Sequence, residues 1–481
     1  MEKRFYVTTP IYYANGSPHI GHFLTTTIGD VLARYNRLIV GAENVYFTTG
    51  IDEHGTTVSD AAKKAGYEEN IQAYVDEAAQ EWKAVFDKTH ISYDYFVRTT
   101  SPYHAKFVKE LVLKMQKAGD IYKGNYEGTY CNGCEKHLTL SDLNEEGYCP
   151  LHRPDQTIKI TEENYFFRLS KYANRLVEIF EKDSVVIFPE SKKNEILSRL
   201  KSGVEDLSIT RPKEKVSWGI EFPGDSEQTL YVWADALSNY ISSLVINNNY
   251  DYFWGKYTTH LVGKDINWFH SVIWTAFLLS AGYPLYKNIF AHSFLNIGGK
   301  KISKSLGNLI TPDELIKYFG VDGARYLVLK NIPYKDDIDV TIETLTQQYN
   351  ADLANGLGNT VARVTKLAEN SQISFDNISE AQSRKEILET IQEDIEQVKV
   401  HEALSKIWLK LSDLEKHINT NEPWAIEDKN QLKTILSHEL RELYSIGILL
   451  EPFLPETANQ IVSSVSSSKI IKDKALFERI K

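Results

Sequence analysis

A strand, a loop, a helix and a second strand follow one another within the first fifty residues, and this order constrains the fold most. Residues 5–9 are apolar and partly β-branched, as buried strands are. A loop with Gly and Pro follows at 15–18, after which apolar residues recur at helical spacing over 21–38. Residues 45–49 form the second strand. A strand–helix–strand unit of this length predicts an α/β fold with a parallel sheet.

Two histidines flank a glycine where the first helix should begin. They are His19 and His22, with Gly21 between them. A helix N-terminus offers unpaired N–H groups and the positive end of a dipole, so it suits a phosphate, and two imidazoles would add donors there. Gly21 would let a ligand approach the backbone closely. Taken alone, the same pair could be two surface histidines on a first helical turn.

The alternation of strands and helices is interrupted once and later gives way to helices alone. Residues 119–223 are rich in Gly, Asn, Glu and Lys and lack the alternation, which resumes beyond them. Apolar residues beyond 338 recur only at helical spacing, which is typical of a bundle. We predict a sheet domain in two halves, 1–118 and 224–337, with an insertion at 119–223 and an α-helical domain at 338–481.

The composition is that of an ordinary globular protein. Of the 481 residues, 42% are hydrophobic and 25% are charged. No targeting or membrane-spanning segment is visible, so we expect a cytoplasmic protein without membrane contact. The formal net charge of −11 argues mildly against a nucleic-acid partner, although a local basic patch can still bind phosphate.

The cysteines predict a metal site in the insertion. Cys131 and Cys134 form a Cys-x2-Cys pair, and Cys149 and His152 form a Cys-x2-His pair. Together they supply four sulfur and nitrogen donors, which suit one tetrahedral Zn²⁺ and leave no open position for catalysis. We therefore predict a structural zinc that holds the insertion together. His137 is the alternative fourth ligand.

A second phosphate-type motif lies in the other half of the sheet domain. Lys301 and Lys304 occupy a Gly-rich loop, and ammonium groups on such a loop can follow charge that develops on a polyphosphate. A solvated lysine pair would look the same in isolation. Two such motifs at one sheet edge, one from each half of the fold, favour phosphate chemistry.

Both motifs match the signatures of class I aminoacyl-tRNA synthetases, and further segments make the chain resemble the methionyl-tRNA synthetase family. The first signature is complete over 18–22, and the second, over 301–305, has Ile302 where Met is most common in the family. The resemblance implies a Rossmann-like catalytic domain split by a zinc-knuckle insertion and followed by an anticodon-binding helical bundle. The other matching segments are 13–16, 52–55, 233–236, 263–265 and the Cys/His insertion.

The resemblance implies that the protein joins L-methionine to tRNA(Met), including the initiator tRNA, with ATP and Mg²⁺. Methionyl-adenylate forms first with release of pyrophosphate, and the methionyl group then passes to the 3′-terminal ribose with release of AMP. Because no covalent enzyme intermediate is involved, catalysis would consist of positioning and charge stabilisation. By resemblance, the catalytic residues are His19, His22, Lys301 and Lys304, and ATP is bound by these four together with Gly21, Gly263 and Asp265.

A pocket for methionine should be apolar and aromatic, because a thioether is flexible and only weakly polar. By resemblance, Asp52 holds the substrate ammonium through a charge-assisted contact. Related synthetases for valine, isoleucine and leucine carry a large editing domain, because one methylene discriminates only about 10–200-fold, and 119–223 has no room for one. The implied methionine-binding residues are Ile11, Tyr13, Asp52, Trp233, Ala236, Tyr240, Ile266 and His270.

The C-terminal helices carry residues at the positions that the family uses to read the anticodon. Asn355, Asn359 and Arg363 recur every four residues and should share one helix face. Trp424 suits stacking on a splayed base, while amide and guanidinium groups suit base edges. Capping asparagines and a surface arginine would give the same pattern. The basic residues at 192–215 could follow the tRNA backbone or simply be solvated.

Three other functions fit part of the pattern. A synthetase for another amino acid would need a different pocket. A nucleotidyltransferase for small molecules has no use for the anticodon-type residues, and a non-catalytic RNA-binding protein has no use for both phosphate motifs. With no further tRNA-binding or dimerising domain visible, we expect a monomer.

Overall fold

One six-stranded sheet and three small sheets contain the strands of the computed structural model, which describes residues 4–138, 142–298, 300–301, 309–375, 383–471 and 475–481. In chain order the strands are β1 (Phe5–Tyr13), β2 (Val45–Asp52), β3 (Tyr95–Arg98), β4 (Ile121–Cys131), β5 (Lys136–Leu138), β6 (Thr157–Phe167), β7 (Val186–Phe188), β8 (Leu207–Ser208), β9 (Thr210–Pro212), β10 (Glu221–Phe222), β11 (Asp225–Leu230), β12 (Thr258–Gly263), β13 (Asn288–His292), β14 (Leu295–Ile297), β15 (Lys300–Lys301) and β16 (Ile338–Val340).

The six-stranded sheet is parallel throughout, as the sequence pattern predicts. Its spatial order is β3–β2–β1–β12–β13–β7, and each neighbouring pair is parallel. The order runs outward in opposite directions from β1 and β12, which come from the two predicted halves of the sheet domain. In open sheets of this kind, ligands bind beyond the carboxyl ends of the strands at such a reversal point.

Helices cover both the sheet and the C-terminal region, and two segments, Phe269–Trp274 and Tyr349–Gly358, are wound as π-helix. In chain order the α-helices are α1 (Ile20–Val40), α2 (Thr56–Lys64), α3 (Ile71–Lys88), α4 (Pro102–Lys117), α5 (Ala173–Glu181), α6 (Glu190–Lys201), α7 (Val232–Ala236), α8 (Asn239–Val245), α9 (Tyr250–Phe253), α10 (Thr275–Ala281), α11 (Pro312–Lys330), α12 (Ile342–Gln348), α13 (Asn359–Ser371), α14 (Arg384–Glu389), α15 (Gln392–Glu396), α16 (Val400–Asn421), α17 (Lys429–Leu450) and α18 (Pro455–Val465).

The first helix forms where the apolar spacing predicts it. α1 buries Leu24, Ile28 and Val31 against the sheet, and these residues share one helical face. The helix ends at Gly41, whose φ of +92° is open to glycine but strained for other residues. Because α1 begins shortly after β1 ends, the N-terminus of the helix lies at the edge of the sheet where the strands end.

Among the strands that the sequence did not predict, two short ones bear on the domain boundaries. β7 lies within the predicted insertion but pairs with β13 at the edge of the central sheet, so part of 119–223 belongs to that sheet. β16 lies at the predicted start of the helical region and pairs with β14. Each has three residues, which is too few to show a period in the sequence. The domain boundaries stay predictions, while the α/β fold with its helical C-terminal region is confirmed.

No helix in the described ranges combines the length and the apolar character needed to cross a lipid bilayer. The long helices α16 and α17 instead pack against each other through one apolar face each, as the sequence predicts. Leu411 and Leu440 belong to these buried faces.

A buried ion pair joins the sheet domain to the helical region. Arg325 on α11 is fully buried, and its Nη2 donates to Oδ2 of Asp30, in the middle of α1, over 2.6 Å. Its other N–H groups donate to backbone carbonyls that include those of Pro452 and Phe453, after α17. Although burial opposes ionisation, Arg325 and Arg34 hold the pKa of Asp30 below its ordinary value.

We expect Arg325→Met to destabilise the protein by about 3–5 kcal/mol, because it leaves a buried carboxylate without its main partner. Chemical denaturation followed by circular dichroism measures the change. Lys416→Met is the matched control, since Lys416 pairs with Asp413 on the surface at 3.0 Å and should matter by less than about 0.5 kcal/mol. Equal stability of the Arg325→Met variant and the wild type would contradict this prediction.

Candidate active site

A cavity of about 500 Å³ opens beyond the carboxyl ends of the central strands, at the reversal point between β1 and β12. Residues from both halves of the sheet domain line it, so the fold unites segments that are far apart in the sequence. The predicted site residues on its wall are Ile11, Tyr13, His19, Gly21, His22, Asp52, Trp233, Ala236, Tyr240, Gly263, Asp265, Ile266 and His270.

The two histidines at the start of α1 cap their own helix. His19 precedes the helix, and its Nδ1 accepts the N–H of Gly21 over 3.1 Å. Nδ1 of His22 accepts the N–H of His19 over 3.3 Å, and the two rings stack 3.6 Å apart. Because each Nδ1 is an acceptor, a neutral ring carries its proton on Nε2. Nε2 is therefore the donor that each histidine can offer to an anion.

Tight packing holds this helix start in place. A Cβ at Gly21 would lie 3.0 Å from the ring of His19, so a larger residue there would force that ring to shift. Trp82 packs against His22 with ring centroids 5.0 Å apart, and its indole N–H donates to the carbonyl of Gly16 over 3.0 Å. The loop before α1 and the two imidazoles are thus fixed together.

The residue that follows the lysine loop lies beside the same cavity. Lys301 lies at the end of β15, and Leu309, just after the loop, lines the cavity. The N–H of Ile20, the first residue of α1, donates to the carbonyl of Ile310 over 2.9 Å. Lys304 and the side chain of Lys301 lie outside the described residues, so their contacts with pyrophosphate stay predictions.

Another part of the cavity wall is aromatic, and Tyr240 and His270 on this wall are hydrogen-bonded to each other. Trp233 stacks on Phe269 with ring centroids 4.0 Å apart. Nδ1 of His270 lies 2.8 Å from the carbonyl of Ile266 and must donate to it, which leaves Nε2 to accept the hydroxyl of Tyr240 over 2.5 Å. Burial lowers the pKa of His270 to about 4, so this ring is neutral near pH 7. Such a wall suits an apolar ligand group.

Asp52, at the end of β2, is a buried carboxylate with no cation beside it among the described residues. It accepts one long hydrogen bond, from the N–H of His54 at 3.4 Å. Burial, followed by repulsion from Asp235 and Glu135, raises its pKa well above the ordinary value. A bound ammonium group would supply the missing positive charge.

Beside Asp52 lies a buried network that the sequence did not reveal. Asp235 contacts Nδ1 of His54 at 2.6 Å and Nε2 of His104 at 2.7 Å, and it ties the loop after β2 to α7. Although burial opposes ionisation, the two imidazoles lower the pKa of Asp235 to about 2. His54 and Asp235 stand in segments that match the family, but no pattern pairs them, and His104 gave no signal.

The four residues of the predicted metal site come together. One ligand atom from each of Cys131, Cys134, Cys149 and His152 lies within 4.8 Å of all the others. The hydrogen bond between Cys131 and Cys134 lowers the pKa of Cys131 and raises the pKa of Cys134. Three sulfurs and one imidazole nitrogen could therefore hold a metal ion. The side chain of His137, the alternative ligand, lies outside the described residues.

Arg363 and Trp424 lie side by side although they are distant in the sequence. Cζ of Arg363 is 5.4 Å from the centroid of the Trp424 ring, and its Nη2 donates to Oδ1 of Asn419 over 3.2 Å. Trp424 is 53% exposed, so its ring is available for stacking. Asn355 and Asn359 are also exposed, but Asn355 lies in a π-helical segment, so the spacing of a single α-helical face does not hold there.

The basic residues of 192–215 are all paired with acidic side chains. Their N–O distances are 2.5–3.6 Å, so much of their charge is already compensated. This favours their interpretation as ion pairs within the protein, buried at Lys193 and Arg211, over a track for the tRNA backbone. The pairs are Lys192–Glu195, Lys193–Asp183, Arg199–Asp142, Lys201–Glu181, Arg211–Glu162, Lys213–Glu221 and Lys215–Glu214.

We expect one metal ion per chain in the purified protein and a large loss of it in Cys149→Ser, because a hydroxyl replaces a thiolate ligand. Mass spectrometry of the metal content after dialysis measures both. Asp155→Asn is the matched control, since Asp155 is exposed on the same insertion and should leave the metal content unchanged. Full metal content in Cys149→Ser would contradict the site.

Known proteins share both the sequence and the fold. The sequence model of a family described as tRNA synthetases class I (M) matches residues 5–161 and 152–365. A methionine–tRNA ligase of Thermotoga maritima is 39% identical over 482 residues, which cover 96% of this chain and 75% of that protein. A methionine–tRNA ligase of Caldanaerobacter subterraneus subsp. tengcongensis is 38% identical over 501 residues, which cover 100% of this chain and 76% of that protein.

Solved structures agree. Mycobacterium tuberculosis methionyl-tRNA synthetase in complex with methionyl-adenylate matches with a TM-score of 0.87 and 33% identity, over 96% of this chain and 94% of that chain. A second structure of that synthetase with methionyl-adenylate gives a TM-score of 0.88 at 31% identity, over 99% of this chain and 100% of that chain. The resemblance seen in the sequence is therefore confirmed, and this chain belongs to the methionyl family of class I tRNA synthetases.

Proposed function

We propose that the protein ligates L-methionine to tRNA(Met), initiator tRNA included, in two steps, of which the first consumes ATP. First, a carboxylate oxygen of methionine attacks the α-phosphorus of ATP, the bond to pyrophosphate breaks, and methionyl-adenylate forms. Second, a ribose hydroxyl at the 3′ end of the tRNA attacks the adenylate carbonyl, and AMP leaves. The supporting observation is that anion donors, a buried carboxylate and an aromatic wall meet in one cavity.

The start of α1 would bind the phosphates of ATP. His19 and His22 would donate from Nε2 beside the backbone N–H groups of the first helical turn. These donors are held rigidly, so they would stabilise charge on the departing pyrophosphate at little cost in reorganisation. Lys301 and Lys304 would hold the pyrophosphate with the Mg²⁺ that accompanies ATP. Gly21, Gly263 and Asp265 would complete the nucleotide site.

The amino-acid end would select methionine by charge and by polarity. Asp52 would bind the ammonium group, since no cation lies beside its buried carboxylate among the described residues. Tyr240 and His270 bond to each other, so a polar side chain would lose its hydration without gaining a partner from these two residues. The remaining wall residues of this end would be Ile11, Tyr13, Trp233, Ala236 and Ile266.

The helical domain, 338–481, would read the anticodon. Trp424 would stack on a splayed base, while Arg363, Asn355 and Asn359 would contact base edges. In the insertion, 119–223, the Cys/His cluster would hold a structural Zn²⁺. We propose a monomer that acts in the cytoplasm, where aminoacyl-tRNA is consumed, with the catalytic domain formed by 1–118 and 224–337.

We expect exchange of pyrophosphate into ATP to depend on methionine and on no other of the twenty amino acids, in the absence of tRNA. His19→Ala and Lys304→Ala should each slow this exchange about 10²–10³-fold, because each removes a donor to developing charge. Lys317→Ala, at an exposed lysine on α11, is the control and should exchange normally. Exchange with another amino acid would refute the predicted selectivity for methionine. No exchange with any amino acid would refute the proposed enzymatic activity.

We expect Trp424→Ala to lower kcat/KM for charging tRNA(Met) about 10–100-fold, because it removes a stacking surface for one base. Pyrophosphate exchange should stay normal, since the cavity is untouched. Leu409→Ala removes a side chain of the same domain that is 66% exposed and should charge normally. Equal loss of exchange and charging in Trp424→Ala would contradict an anticodon role.

A further inference from the structure

One buried carboxylate links the metal-binding insertion to the amino-acid end of the cavity. Glu135 follows the metal-site residue Cys134 and is 1% exposed. Its Oε1 accepts the N–H of Thr57 over 2.5 Å and the hydroxyl of Thr56 over 2.9 Å. α2 begins there after Gly55, which has no side chain to cap it. Glu135 therefore provides the helix cap from a different part of the chain.

The contact is shaped for this carboxylate on both sides. A Cβ at Gly55 would lie 2.4 Å from Oε2 of Glu135, so only glycine admits it. Glu135 has a φ of +47°, and its N–H donates to the carbonyl of Asn132 over 3.3 Å, so the turn that carries Cys134 sets its conformation. The carbonyl of Glu135 accepts the hydroxyl of Tyr231, the residue before α7, over 2.6 Å.

The helix that Glu135 caps, α2, follows directly on the loop that begins at Asp52. Residues 52–55 run directly from the end of β2 into α2, and Asp52 accepts its hydrogen bond from the N–H of His54 within this loop. The insertion also lines the cavity itself, through Gly133 and His152. A shift at the start of α2 would therefore move the Asp52 carboxylate relative to the rest of the cavity.

We propose that Glu135 is a positioning residue for methionine binding, which transmits the folded, metal-bound state of the insertion to the carboxylate of Asp52. The proposal rests on the proposed function, since it assumes that Asp52 holds the substrate ammonium. Metal loading then sets the affinity for methionine. The affinity for ATP depends on the start of α1, which Glu135 does not contact, and stays unchanged.

Calorimetric titration of the purified holoenzyme tests this directly. Glu135→Ala should weaken L-methionine binding about tenfold, because the cap of α2 is lost, while Glu135→Gln keeps a carbonyl oxygen for Thr57 and should restore most of the affinity. ATP affinity and metal content should match the wild type in both. Glu146→Gln, at an exposed glutamate of the same insertion, is the control.

A ligand without the ammonium group separates positioning of Asp52 from a general loss of structure. The compound 4-(methylthio)butanoate has the tail and carboxylate of methionine but no nitrogen. Glu135→Ala should bind it as the wild type does. Equal weakening of both ligands would overturn the proposal, and so would unchanged binding of L-methionine. No binding of L-methionine by the wild type would refute the proposed function instead.

Metal removal supplies the second arm. Chelated wild type should bind L-methionine about as weakly as Glu135→Ala holoenzyme does, and chelation of Glu135→Ala should add little, because both changes break one link. If chelation and Glu135→Ala weakened methionine binding independently, so that their fold-changes multiplied, the link between metal and carboxylate would be overturned. Unchanged methionine affinity in the chelated wild type would overturn it as well.

Discussion

Burial of negative charge organises the amino-acid end of this site. Asp52, Glu53, Asp235 and Glu135 are each 3% exposed or less, and an unpaired buried charge is costly. Glu53 binds Arg98, Asp235 lies between two imidazoles, and Glu135 caps a helix. In the described part of the chain, Asp52 has no such cation or cap. The protein thus gives three of these carboxylates a cation or a helix cap of its own and leaves one place for a positive charge from a ligand.

The opposite end of the cavity depends on the backbone of α1 rather than on buried acids. The Nδ1 atoms of His19 and His22 accept backbone N–H groups at the helix cap, which fixes both rings. In the neutral rings Nε2 is then the donor atom. The same helix carries Asp30, whose pair with Arg325 reaches the turn after α17. Because a hydrogen-bonded helix is stiff, the start of α1 and the C-terminal helices are held in a fixed relation.

Sequence patterns predicted the elements with a clear period and the residues with a distinctive spacing. α1, α16 and α17 show apolar residues at helical intervals, and the Cys/His cluster has metal-ligand spacing. β7 and β16 are too short to show a period, and each is defined only by the strand beside it. No residue pattern predicted the π-helical segment that holds Asn355 either.

The sequence by itself determined the fold class, the two phosphate-type motifs, the Cys/His cluster that could hold a metal, and the family, because each depends on residue type and spacing. Only the tertiary structure decided which groups share a partner. It showed that Tyr240 satisfies His270, that Asp235 joins His54 to His104, and that Glu135 caps α2. Hydrogen bonds between distant segments depend on where the fold brings their atoms within about 3 Å, and no local pattern encodes that distance.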